Sequence, residues 1–221
     1  MMFNEDCRDT LTYKVISYDY VLCSPPDYQE VGLNPKKDSY SEFLETWIPK
    51  LKPENNLVSI CITDRKSDST IYPKHIDVIR TMEKYGWKIK THKIWAKSLK
   101  INMFRLNFMN VLTFAKKSCK VNQIKEFKPD VFLDNTSPKY KGYGFGMSLD
   151  VCKLLIREHT SENQIVYDPF MGSGTTAIAA LLCDRRYIGS EIDKETMELC
   201  KERIGELDNG FRFIKRLSRI C

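Results

Sequence analysis

Two segments of this 221-residue chain combine residue types and spacings that could do chemistry: Ser24-Pro25-Pro26 and Asp168-Pro169-Phe170-Met171-Gly172-Ser173-Gly174-Thr175-Thr176. Each follows an apolar run with strand character, Tyr18 to Leu22 for the first and Ile165 to Tyr167 for the second. The second runs into a glycine turn that opens a helix, a geometry that cradles a nucleotide-like cofactor. Gly172 and Gly174 suit it because close approach of backbone to a bulky ligand requires residues without a Cβ. The following strand ends Ile188-Gly189-Ser190-Glu191. A carboxylate about 20 residues past such a turn fits ribose hydroxyls, which makes Glu191 the candidate and Asp193 its nearest rival. The first segment puts a small hydroxyl residue ahead of two prolines that fix the backbone carrying it.

In this order, with Cys23-Ser24-Pro25-Pro26-Asp27-Tyr28 first and the glycine turn last, the chain resembles the S-adenosylmethionine-dependent DNA amino-methyltransferases. Within them it is similar to the circularly permuted beta class, and the resemblance covers nearly the whole chain. It implies a Rossmann-like α/β fold with permuted motif order, S-adenosylmethionine as cofactor and DNA as partner. It further implies that Asp168 serves the methionine end of the cofactor and that Phe170 packs beside the adenosine. Pro169, Thr175 and Thr176 complete that motif. The adenine edge falls to an N-terminal segment, here Asn4-Glu5-Asp6-Cys7 without the family's usual glycine, so Asp6 and Cys7 are its candidates.

The implied reaction explains the first segment. An exocyclic base amine is a poor nucleophile because its lone pair is conjugated into the ring. Two acceptors aimed at its hydrogens, the Ser24 hydroxyl and the Pro25 carbonyl, can pyramidalise the nitrogen and turn the lone pair towards the methyl donor. The family pattern then has an aromatic residue that stacks on the flipped base. Here Asp27 takes that place and Tyr28 the next, so either Tyr28 stacks from one residue on, stacking comes from elsewhere, or Asp27 reads a base edge. Ser24 heading the motif favours cytosine N4 as the target over adenine N6.

Other readings compete. An adenine-N6 enzyme and a catalytically silent nucleic-acid-binding relic share the fold. Cys23 suggests the nucleophile of a cytosine-C5 methyltransferase, but that family's cysteine follows a proline and comes after the cofactor motif. Protein-glutamine methyltransferases carry a similar proline motif in the opposite order. A nicotinamide dehydrogenase is disfavoured because the turn lacks Gly-x-Gly-x-x-Gly.

The elements that must position these residues alternate along the chain, which argues for a mostly parallel sheet. Tyr40, Phe43, Leu44, Trp47, Ile48 and Leu51 recur at helical spacing behind Ser39 as N-cap. Leu57 to Ile62 reads as a buried strand. Pro73 opens the next helix, with Gly86 its stop. Trp87 to Trp95 and Val111 to Phe114 predict an antiparallel edge. Residues 116–147 lose periodicity and form the expected short target-recognition loop or insertion within a single domain spanning 1–221. Leu149 to Ile156, Ala177 to Cys183 and Met197 to Ile204 carry the last helical faces.

Composition sets the remaining bounds. A net charge of +6 is compatible with a polyanionic partner. Basic and aromatic stretches that could grip nucleic acid are Lys97 to Lys100, Lys116-Lys117, Lys139 to Phe145 and Arg212 to Arg219. The eight cysteines are dispersed without a Cys-x-x-Cys pair, and only three histidines are present, so reduced buried thiols are expected and no metal. No apolar run is long enough to span a membrane, and no secretory signal is recognisable. A cytoplasmic, nucleic-acid-associated protein is expected, with a homodimer mate and a cognate restriction endonuclease as further candidate partners. Abundant Lys, Asn and Ile suit an AT-rich genome such as those of some bacteria or large DNA viruses.

Overall fold

A computed structural model describes residues 1–97, 106–116, 129–134 and 147–217, with side chains as far as residue 207. The first half contains β1 (Met2–Phe3), α1 (Cys7–Tyr13), β2 (Tyr20–Cys23), α2 (Tyr40–Leu44), β3 (Leu57–Ile62), β4 (Arg65–Ser67), β5 (Thr70–Tyr72) and α3 (Lys74–Lys84). Next come β6 (Lys88–Ala96), β7 (Phe108–Ala115), β8 (Val131–Leu133), α4 (Leu149–His159), β9 (Ile165–Asp168), α5 (Thr175–Leu182), β10 (Arg186–Ser190) and α6 (Lys194–Leu217). Eight strands form one sheet in the order β1-β10-β9-β2-β3-β7-β6-β8, and β4 and β5 form a separate hairpin.

The expected α/β architecture is present, but the antiparallel pairing is not at an edge: the one reversed strand of this sheet among the described residues, β7, lies inside it, and β8 beyond β6 runs parallel to that strand. β1, β10, β9, β2 and β3 run parallel, while β7 is antiparallel to both β3 and β6. β2 and β3 are buried at every position, as their unbroken apolar sequences require of strands covered on both faces. One core layer, built on Tyr40, Leu44, Trp47, Val58 and Phe114, lies beneath α2 and α3; the opposite layer joins Leu22, Trp95, Cys152, Leu155 and Ala180 beneath α4 and α5. The six described cysteines are free and buried.

Two further expectations are adjusted. The helix behind Ser39 does have that residue as N-cap, in a capping box closed by Glu42, but its α-helical part stops at Leu44. A 3-10 turn, Ile48–Lys50 with Pro49 in its first turn, carries the remaining apolar residues inward. The region 116–147 contributes the edge strand β8, parallel to β6; most of that region lies outside the described residues.

The strand order places the site. From β2 the chain crosses to β3 on one side, and from β9 to β10 on the other. The sheet therefore switches direction between neighbouring β2 and β9, where α/β proteins open a crevice outside the carboxyl ends of their strands.

Candidate active site

Parallel pairing brings four strand ends to one edge of the sheet: Asn4 to Cys7 after β1, Glu191 after β10, Asp168 at the end of β9, and Ser24 after β2. They surround one cavity of about 870 Å³, within the usual size of a small-molecule site. Its lining includes Asp6, Cys7, Ser24, Pro25, Pro26, Asp168, Pro169, Phe170, Gly172, Thr175, Thr176 and Glu191. Segments more than 140 residues apart in sequence thus face a common space.

Asp168 is 1% exposed, and its Oδ1 accepts from the Phe170 amide at 2.9 Å. Burial pushes its carboxyl up to about 7, partly opposed by the nearby Thr176 hydroxyl and the Phe170 amide and reinforced by the nearby Glu191 charge. Glu191 ties two loops together: Oε2 accepts from the Gly172 amide at 2.8 Å and Oε1 from the Asp193 amide at 2.9 Å. Its rival Asp193 is committed to the start of α6, accepting from the Thr196 amide at 2.7 Å. Asp6 caps α1 and pairs with Arg8, which holds its carboxyl below the ordinary range despite partial burial. Cys7 is buried, and burial raises its thiol to about 12.

The two glycines differ in their reasons. Gly172 has φ +53°, and a Cβ there would meet nothing closer than 3.9 Å, so conformation is its requirement. Gly174, at φ +85°, is not part of the cavity lining; a Cβ would lie 2.6 Å from the Cys200 Sγ on α6. The expectation that a side chain at 174 would enter the cofactor space is therefore corrected: it would strike α6. The same helix sends Arg203 to the turn, where Nη1 donates to the Ser173 carbonyl at 3.0 Å and the Thr175 hydroxyl at 3.2 Å.

On the other wall, no hydrogen bond engages the Ser24 hydroxyl or the Pro25 carbonyl among the described residues. The Pro26 carbonyl, by contrast, accepts from the Tyr40 hydroxyl. Two expectations for this segment are overturned. Tyr28 does not reach the cavity; it is 3% exposed, with its ring 5.0 Å from that of Tyr40 and 6.5 Å from that of Tyr72. Being apolar over most of its surface, it is drawn into the core beneath α2. Asp27 is not available to a base edge either, because its carboxylate bonds Lys74, Arg65 and the Tyr28 amide. Cys23 is fully buried with its thiol pushed well up by desolvation, the opposite of an activated nucleophile.

Several lining residues lie beyond what the sequence pattern indicates. Phe43, on the apolar face expected in the core, lies 5.8 Å ring to ring from Phe170, which meets Trp47 edge-on at 5.1 Å. Ile192, directly after Glu191, is 69% exposed at the cavity, and its adjacency to that carboxylate is the available signal. Met109 and Met147 line it from the other core layer, and nothing in their local sequence announces that. Of the basic stretches, Lys97 bonds the Thr63 hydroxyl at 2.7 Å and Lys116 lies over the Trp87 ring. Lys139 to Phe145 lies outside the described residues, as do the side chains of Arg212 to Arg219. Among the described residues there is no cluster able to hold a metal ion and no helix long and apolar enough to cross a membrane.

Known proteins share this fold. The family model for DNA methylases of the N6 and N4 types matches residues 18–202. The chain belongs to that family. Among its relatives, the orphan methyltransferase M.BamHII of Bacillus amyloliquefaciens is 30% identical over 199 residues, 89% of this chain. The chain spans 66% of that relative's length. The solved structure of TTHA0409 from Thermus thermophilus, complexed with S-adenosyl-L-methionine, superposes with a TM-score of 0.74 at 20% identity, covering 93% of this chain and 94% of that one. PvuII DNA methyltransferase, cytosine-N4-specific, gives a TM-score of 0.76 at 16% identity over 90% of this chain and 84% of that one. At these identities the two structures establish the methyltransferase fold.

Proposed function

We propose that this DNA methylase transfers a methyl group from S-adenosylmethionine to an exocyclic amine of a DNA base, cytosine N4 before adenine N6. The carrying observation is that one cavity is bounded on one side by the Asp168–Thr176 turn and on the other by Ser24-Pro25-Pro26. The cavity suits that cofactor for a reason visible in the chain. Asp168 is a buried carboxylate held against its own desolvation, so a cationic ligand amine supplies the countercharge it lacks. Glu191, already facing the glycine turn, offers carboxylate oxygens to ribose hydroxyls, while Phe170 and Ile192 give the adenosine apolar surface.

When bound, the cofactor supplies a sulfonium-activated methyl group. Ser24 and Pro25 present the two acceptors that the amine hydrogens need, and the rigid proline pair holds them in place. A nitrogen–carbon bond forms as the donor's carbon–sulfur bond breaks, and the surplus proton leaves an already acidic nitrogen, so no strong base is required. Cys23 takes no part. Support for cytosine comes from Ser24 at the head of the motif. Reaching an amine inside a duplex requires flipping the nucleotide out, so mismatched or single-stranded targets should react at least as readily as paired ones. The test is turnover on matched duplex and single-stranded oligonucleotides; a strict requirement for paired DNA would contradict the reading.

A further inference from the structure

The proline segment is followed by an ion cluster that lies outside the cavity. Lys74, the first residue of α3, has a side chain only 5% exposed, and its Nζ donates to the Asp27 Oδ1 at 2.9 Å. Arg65, the first residue of β4, donates from Nη1 to Oδ2 of the same carboxylate at 2.9 Å. Asp27 therefore ties down both ends of the segment that contains the exposed β4–β5 hairpin. The same residue caps the 3-10 turn Tyr28–Val31, its carboxylate accepting from the Tyr28 amide and its own amide donating to Glu30. One residue earlier, the Pro26 carbonyl is held by Tyr40, whose ring lies 5.2 Å from the Lys74 ammonium. Every polar group of Pro26 and Asp27 on this side is thus engaged, while Ser24 and Pro25 face the cavity.

A lysine this buried is costly unless paired, and a surface loop does not need one. We propose that Asp27, Lys74 and Arg65 form a positioning clamp that sets the Ser24 hydroxyl and Pro25 carbonyl for the methyl acceptor. The inference rests on the proposed methyltransfer. Asp27 touches neither substrate nor cofactor; it acts through the backbone two residues before it. Its position, next to the prolines, lets a displacement of the turn carry directly into the acceptor carbonyl, and a misplacement of about 1 Å is enough to lower a rate on the order of 100-fold.

The test separates positioning from plain stability. Asp27→Asn keeps the shape and a capping oxygen but strands the Lys74 charge, so it lowers both Tm and kcat. In the double variant Asp27→Asn/Lys74→Met the buried ammonium is gone and only the Arg65 guanidinium, 29% exposed and open to water, has lost its carboxylate, so Tm recovers towards the native value. A positioning clamp requires kcat of the double variant to stay about 10–100-fold low, with the Kd for S-adenosylmethionine within about twofold of native. Recovery of kcat together with Tm overturns the proposal. If the native protein itself transfers no methyl group, the proposed function falls, and hydrogen exchange then judges the clamp. The Tyr28 and Glu30 amides should exchange at least about tenfold faster in the double variant. Unchanged exchange there overturns it.

Discussion

Replacing Asp168 by asparagine should make the ligand-free protein more stable at neutral and alkaline pH while abolishing cofactor binding. The carboxyl is 1% exposed, and its folded-state value is raised from 3.8 to about 7, chiefly by burial. The sign follows from linkage: a raised carboxyl favours the folded state most below its unfolded value, and that stability is lost as pH rises through the folded one. At pH 8 the ionised group therefore opposes folding by about 4 kcal/mol, and at pH 5 by about 1.5 kcal/mol, using 1.36 kcal/mol per pH unit. Asparagine carries no charge, and its Oδ1 can still accept from the Phe170 amide; its buried amide nitrogen takes back roughly 1–3 kcal/mol at every pH. The measurable quantity is the pH dependence. In urea denaturation the difference between variant and native protein should shift in the variant's favour by about 2–3 kcal/mol between pH 5 and pH 8. A difference that stays flat across that range would refute the assignment of a strained, uncompensated carboxylate, and with it the reason a cationic ligand is drawn there. Calorimetry on the same variant should show S-adenosylmethionine binding lost.

Gly174→Ala should destabilise by roughly 1–3 kcal/mol through overpacking against Cys200, and Cys200→Ala in the same chain should restore part of that in thermal unfolding. Ser24→Ala removes one of two acceptors for the amine, so kcat should fall on the order of 10²–10³-fold in a methyl-transfer assay while the Kd for S-adenosylmethionine barely moves. Tyr28→Ala empties a core position and should lose roughly 3–5 kcal/mol in denaturant, as a large-to-small core change does, whereas a ring standing free to stack on a base would lose little.

How far the sequence carried depends on the kind of signal. Strands β2, β3 and β9 are short apolar runs, and the parallel pairing of β2 with β9 makes the two motifs meet without further information. Ser39, Gly86 and the alternation of helices and strands were legible because capping and chain reversal are local. Asp27 and Tyr28 were not, because their fates are set by Lys74, Arg65, Tyr40 and Tyr72, residues brought to them only by the fold. β1 and the hairpin of β4 and β5 are two and three residues a strand, too short for periodicity to register. Gly174 illustrates a further limit: its motif asks for a residue without a Cβ, while only the packing of α6 shows what that Cβ would meet. Met109 and Met147 reach the cavity through the tertiary fold, Met109 by its register across the sheet, which no local pattern encodes.

Methylation of a base amine held by Ser24 and Pro25, with S-adenosylmethionine as donor, is read out by nucleoside mass spectrometry. Purified protein, cofactor with a deuterated methyl group, and unmethylated DNA would be incubated, digested to nucleosides and analysed beside the Ser24→Ala variant. The expected product is labelled N4-methylcytosine, strongly reduced in the variant. Labelled N6-methyladenine alone would overturn the cytosine assignment while keeping the chemistry. Label at cytosine C5, or on no base at all while the cofactor binds in calorimetry, would contradict amine methylation at this site.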